Sequence, residues 1–258
     1  MDRYQSFEEL SRHEAEGVDY VILSRKGSAS LAVIAPHGGG IEPGTADIAD
    51  AIASNQHPFA AFKGIKKTGN AALHIRSDRF DEPVAVRIAE QAHGAVTIHG
   101  SRGGEDRVYV GGRDDDLKRR IIDELNGAGF HAEESLRPGL EGRSPRNICN
   151  RCLTGQGVQI ELSRGLREKM FEGLAKRSPR KKSETFYRFV RAVRDAIEAR
   201  CWAVSNGYVV HPSDSSVFLC SNLKPLNLRT HERLHKSFSR SPYHIDSAYR
   251  NSVKGIEN

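Results

Sequence analysis

The sequence predicts an α/β fold: a layered domain over residues 1–205, followed by a C-terminal extension, 206–258, of different character. Three observations carry this. Short runs rich in Val and Ile recur along the first part, each bounded by Gly, Pro or Ser, as strands are. Between them lie segments whose apolar residues fall at helical spacing. Beyond about residue 206 the periodic apolar positions and helix caps give way to Ser, Asn, His and Arg. Alternating strands and helices imply helices layered on a largely parallel or mixed sheet.

Taken in order, 18–24 and 31–35 read as the first two strands. A helix over 45–54 has Thr45 as its candidate N-cap, with Ile48, Ala49 and Ile52 on one face. A strand over 59–64 precedes a helix over 82–92, which opens with Pro83 and spaces Val84, Ile88 and Ala92 by four. Strands follow at 95–99 and 107–111. The helix over 114–126 starts with acidic residues and stops at Gly127, matching the helix dipole and C-cap rules. Strands at 130–133 and 157–163 come next. The longest helix, 183–201, carries Phe186, Phe189, Val190, Val193 and Ile197 along one side. The extension is net basic and receives no function.

The 258 residues suffice to bury a full core. There is no run of about 18 apolar residues, so a transmembrane helix is excluded. The polar, acidic start of the chain lacks the apolar segment of a signal peptide, so the expectation is a protein made in the cytoplasm. Four cysteines (Cys149, Cys152, Cys201 and Cys220) are too few for a disulfide scaffold. The Cys149–Cys152 spacing has no second ligand pair for a structural zinc, and its loop context is not that of a redox motif, so both read as reduced thiols. The net charge of +6, with five basic residues in 176–182, favours a polyanionic partner. Charge narrows the partner's sign and not its identity.

The segment 35–45 (Ala-Pro-His-Gly-Gly-Gly-Ile-Glu-Pro-Gly-Thr) sets His37 and Glu42 five positions apart across three glycines, where a buried strand should end. A simple turn needs one or two glycines and no such pair. In α/β folds, sites form beyond the carboxyl ends of strands, and His99 and Glu161 sit at or near the ends of two further strand runs. Two imidazoles and a carboxylate are a ligand set of catalytic zinc sites, which keep a fourth position for water. Such chemistry also needs a carboxylate that is not a ligand, to carry the proton from water to the leaving amine. Glu161, inside an apolar run, suits that part, because burial is costly for a carboxylate and tunes its pKa. Each residue also has a plain structural reading. His99 can be a core histidine bonded to a carbonyl, Glu161 the partner of an arginine, and Glu42 a helix cap.

Five segments resemble the phage-type poly-γ-glutamate hydrolases, zinc amidohydrolases related to the carboxypeptidase A-like fold. They are 35–45, 73–83, 96–100, 147–151 and 157–167, in the family's order, within residues 1 to about 200. The resemblance implies a three-layer domain with a mixed central sheet and flanking helices. It also implies one zinc ion bound by His37, Glu42 and His99, with Glu161 as general base and acid. The His-x4-Glu spacing is longer than the His-x-x-Glu of carboxypeptidases proper, so the link to those enzymes is one of fold.

The implied substrate is an anionic polymer with one free α-carboxylate per residue, which arginine's planar fork suits. Arg151 is the first candidate, with Asn150 beside it; Arg79, Arg164 and Arg102 follow. His74 is weaker, and a core or ligand-supporting role fits it better. The three glycines are expected to let the backbone close around the ion and the polymer approach. A monomer of phage or prophage origin, released by lysis to degrade a capsule, is the implied context. Two other readings stand: a zinc amidohydrolase of the same fold on another amide, and a basic, non-catalytic nucleic-acid-binding protein. The latter lacks a helix-turn-helix, zinc-finger spacing and an aromatic stacking platform.

Overall fold

In the computed structural model, residues 2–175 and 180–199 are described, together with three short strands further on. The chain divides into two compact units, Met1–Arg200 and Cys201–Asn258. Most of the extension, Cys201, Cys220 and residues 176–179 of the basic run lie outside the described residues.

In the first unit the elements run α1 (Phe7–Ser11), β1 (Tyr20–Arg25), β2 (Leu31–Gly39), α2 (Thr45–Ala53), β3 (Phe59–Gly64), α3 (Pro83–Gln91), β4 (Gly94–Gly100) and β5 (Val108–Gly112). They continue with α4 (Asp115–Gly127), β6 (Ala132–Glu134), β7 (Val158–Leu162), α5 (Arg164–Met170), β8 (Phe171–Glu172), β9 (Lys181–Lys182) and α6 (Glu184–Glu198). Single 3-10 turns lie at Asn70–Leu73 and Ile148–Arg151. Strands β10 (Trp202–Val204), β11 (Tyr208–Val210) and β12 (Val217–Leu219) make a small antiparallel sheet of the second unit. Among the described residues no helix is long and apolar enough to cross a membrane.

Seven strands form one mixed sheet in the order β1-β3-β2-β4-β7-β5-β6. Strands β3, β2, β4 and β7 are mutually parallel, β1 runs against β3 and β5 against β7, and β6 is parallel to β5. Helices α2, α4 and α6 pack together on one face. On the other, Leu10 of α1, Ala85 and Ala89 of α3, and Phe80 ahead of α3 cover Ala32, Ile34, Ala60, Phe62 and Ala95. The three-layer fold expected from the sequence is therefore present. Central β2 is buried from Leu31 to Gly38, as a strand covered on both faces must be.

Helix starts follow local chemistry. Ser183 caps α6 by accepting from the Phe186 N–H, and Asp114 caps α4 through Leu117. Glu82 accepts from the N–H groups of Val84 and Ala85, both at 2.8 Å, ahead of Pro83. The predicted apolar side of α6 is the buried one, and each fully buried Phe or Val there contributes about 1.5–3 kcal/mol. Helices α1 and α5 are absent from the sequence prediction. Both are shorter than two and a half turns, too short to show a period.

One irregularity positions the site. Ala35 pairs with Ala61 but Gly38 with Lys63, so β2 has one residue more than β3 over this stretch, a β-bulge. A one-residue slip moves a side chain to the other face of a sheet. By regular alternation His37 would share the face of Val33 and Ala35. The bulge instead turns it to the face of Ile34, where its ring meets Phe80 edge-on at 6.0 Å between centroids. His99 and Glu161 are register partners on that same face, since Ile34 pairs with Thr97 and Thr97 with Gln159.

Candidate metal centre

Three adjacent parallel strands, β2, β4 and β7, deliver His37, His99 and Glu161 at or near their carboxyl ends. Glu42 arrives from the loop after β2. That loop folds back tightly: the Glu42 N–H donates to the His37 carbonyl at 2.9 Å, and Gly40 donates to Gly64 at 2.9 Å. Gly39 has φ +68°, and a Cβ there would lie 2.3 Å from the Gly64 carbonyl oxygen. A Cβ on Gly38 would meet Ala46 at 2.7 Å. Close approach to β3 and α2 thus demands glycine at Gly38 and Gly39.

The polar atoms converge. His37 Nδ1 and His99 Nδ1 are 3.2 Å apart. Glu42 Oε1 lies 3.4 Å from His37 Nδ1, and Oε2 lies 4.0 Å from His99 Nδ1. One ligand atom from each residue falls within 4.8 Å of the others. Ligands about 2.0–2.2 Å from a tetrahedral zinc sit roughly 3.3–3.6 Å apart, so the donor set fits such an ion. Its tautomers fit as well. His37 Nε2 donates to the Ile75 carbonyl at 2.7 Å, which leaves the Nδ1 lone pair facing the cluster. Gly100 N–H holds Glu42 Oε2 at 2.7 Å. His99 Nε2 is buried without a hydrogen-bond partner among the described residues. That nitrogen is the N–H end of the ring if Nδ1 is the ligand.

Burial and charge oppose one another at the clustered residues. Burial pulls His37 down, but the Glu42 carboxylate outweighs it and raises the imidazole above its ordinary value. Burial pushes Glu42 up, yet His37 first and His99 after it hold the carboxyl at about 2. Burial and then the neighbouring His37 charge press His99 down to about 3. Glu161 goes the other way: burial, reinforced by the Glu42 charge, lifts it well above the usual carboxylate range. Its Oε1 accepts from Gln159 Nε2 at 3.1 Å, and Gln159 Oε1 in turn accepts from Asn147 at 2.8 Å.

Glu42 opens onto a cleft of about 1000 Å³. Its walls carry Lys63, Lys66 and Lys67 from β3 and the loop after it, and Arg102 from the loop after β4. Arg164, Arg167 and Arg180 complete them, against two acids, Asp2 and Glu42. Lys66 pairs with Glu14, Arg164 with Glu168 and Arg180 with Asp47. Lys63, Lys67 and Arg102 have no carboxylate partner among the described residues.

Of the sequence candidates, Arg102 and Arg164 line this cleft, whereas Arg79 and Arg151 do not. Arg151 donates to Glu90 at 2.7 Å. Asn150 is buried, and its amide joins the Gly142 and Ser144 carbonyls to the Gly157 N–H, a structural use. His74 lies against His37 with the ring planes tilted by 33° and the centroids 4.1 Å apart, its Nδ1 on Asp2 at 2.9 Å and its Nε2 3.9 Å from Glu42. Cys149 and Cys152 are free thiols. Asp2, Asn147, Gln159 and Arg167 escaped the sequence reading. Arg167 looked like any helical arginine, and only its place on the buried side of α5, beside Leu166 and Met170, marked it.

The three-layer sheet and the His-Glu-His cluster at its strand ends define an α/β protein built around a candidate mononuclear metal centre. The chain matches the poly-gamma-glutamate hydrolase family over residues 4–192 and belongs to it; by family it is a hydrolase. YndL of Bacillus subtilis (strain 168) is 34% identical over 194 residues, spanning 74% of this chain and 76% of YndL. The SPbeta prophage-derived protein YoqZ of the same organism is 36% identical over 173 residues, 66% of this chain and 62% of YoqZ. Among solved structures, a bacteriophage poly-gamma-glutamate hydrolase has a TM-score of 0.73 at 31% identity, over 76% of this chain and 97% of that one. Zinc-free YndL has a TM-score of 0.70 at 33% identity, over 77% and 98%.

Proposed function

We propose that this protein hydrolyses the γ-amide bonds of poly-γ-glutamate, using one zinc ion held by His37, Glu42 and His99 and proton transfer by Glu161. The observation that carries the reading is the meeting of two imidazole Nδ1 atoms and a carboxylate within 4.8 Å, beside a cleft rich in cations. A bound zinc ion would polarise the scissile carbonyl and bring the pKa of water toward neutrality. The chain's own groups do the rest. A Glu161 carboxylate oxygen, its fellow held by Gln159, takes a proton from the attacking water and passes it to the leaving nitrogen. Arg102, Lys63 and Lys67, which have no carboxylate partner among the described residues, hold the α-carboxylates flanking the bond, with Arg164 nearby. The hydrolase domain in this reading is residues 1–205.

Metal analysis and polymer-length measurement test it together. Wild type is expected to bind one zinc and shorten poly-γ-glutamate. His37→Ala loses the zinc. Glu161→Gln keeps it and loses about 10²–10⁴ in kcat. Zinc bound with polymer length unchanged would transfer the activity to another amide, and an active Glu161→Gln would remove Glu161 from the mechanism.

A further inference from the structure

Arg167 is 4% exposed and hydrogen-bonds no carboxylate among the described residues. A buried guanidinium in that position is costly unless its donors are well used. Here they go to three main-chain carbonyls: Nε to Leu162 at 3.2 Å, Nη1 to Pro43 at 2.9 Å and Nη2 to Ser101 at 2.9 Å. These carbonyls belong to three different segments. Pro43 follows Glu42, Ser101 lies two residues past His99, and Leu162 follows Glu161. One side chain thus ties together the loops that present a carboxylate ligand, an imidazole ligand and the proton carrier.

The guanidinium also lies flat on Gly100, where a Cβ would come within 2.6 Å of Cζ. The Gly100 N–H is the group that grips Glu42 Oε2 at 2.7 Å. A glycine at that point is therefore explained by the arginine stacked on it, and the arginine supports the peptide that aims Glu42. Its charge interacts favourably with the carboxylates of Glu42 and Glu161.

We infer that Arg167 is a positioning residue, a three-way strap that sets the spacing of Glu42, His99 and Glu161 and so the affinity of the centre for its metal. Lysine keeps the charge but cannot serve three carbonyls in a planar fork. The inference rests on the zinc reading above, so zinc binding by wild type is measured beside it.

The experiment uses the full chain and reads zinc affinity by competition with a chromophoric chelator, with kcat, KM and the melting temperature of the zinc-free form. Arg167→Lys is expected to weaken zinc binding about 10–100-fold and to lower kcat more than it raises KM. Gly100→Ala keeps every donor yet displaces the guanidinium, and is expected to weaken zinc binding in the same direction. Unchanged zinc affinity and kcat in folded Arg167→Lys, with only a lower zinc-free melting temperature, would make the arginine a plain structural prop and overturn the inference. Should Arg167→Lys fail to fold, Gly100→Ala decides, and zinc affinity within twofold of wild type there refutes it. If wild type takes up no zinc, the zinc reading falls and this inference with it.

Discussion

Replacing Gly39 by alanine tests whether the loop that carries Glu42 is held by contact with β3 or merely by a permissive backbone. At φ +68° an alanine costs about 1–2 kcal/mol in conformational strain alone. Its Cβ would also sit 2.3 Å from the Gly64 oxygen, the acceptor of the Gly40 N–H, so that bond must stretch or break. A lost main-chain hydrogen bond adds about 0.5–1.5 kcal/mol, for a total of about 1.5–3.5 kcal/mol. For a domain of this size that is roughly a 3–14 °C fall in melting temperature. Gly69 supplies the control, because it too has positive φ, +74°, but nothing lies within 4 Å of its would-be Cβ. Gly69→Ala should show the strain term only. Both variants are compared with wild type by urea and thermal unfolding of the metal-free protein. If Gly39→Ala is no more destabilising than Gly69→Ala, the contact with Gly64 does not hold the loop.

Other expectations follow from the same geometry. Zinc at a hundred times its Kd should stabilise wild type by about 2.7 kcal/mol in calorimetry, and should leave His37→Ala unmoved. Removing both Lys63 and Arg102 takes from the cleft wall two cations that have no carboxylate partner among the described residues. At about 0.2–1 kcal/mol for each exposed ion pair formed with polymer, KM should rise roughly 2–30-fold at low salt, with little difference left at high salt. Burial raises the Glu14 carboxyl, but bonds from Lys66 at 2.6 Å and Tyr4 at 2.8 Å outweigh it and hold the pKa below 4.5. A folded pKa below the unfolded one gives stability that is present above about pH 4.5 and lost as pH falls through the folded value. Acid titration of Glu14→Gln should therefore show a shallower loss of stability than wild type over that range.

The sequence made the strand ends of the site readable, because a buried carboxylate or imidazole in an apolar run needs a reason. Glu161 and His99 stand out on that ground, and both lie near strand ends as expected; the structure adds that the two strands are neighbours. The orientation of His37 was not readable. Period-two alternation places it opposite Ile34, and only pairing with β3, a contact remote in sequence, creates the bulge that turns it back. The substrate arginines were hard to rank for a related reason. Proximity in sequence to a motif pointed to Arg151, whereas the chain path carries that residue to Glu90 and brings Lys63, from another strand, to the cleft. Arg167 stayed hidden because its partners are carbonyls, which every residue has and no composition can flag.

The bulge in β2 makes the centre depend on a count as well as on chemistry. Were β2 to pair regularly with β3 at its present length, every ligand would survive, yet His37 would face the α2 side of the sheet, away from His99. Substitutions at the neighbouring positions change how well the centre works. A shift of one residue in register decides whether the ligands share a face at all.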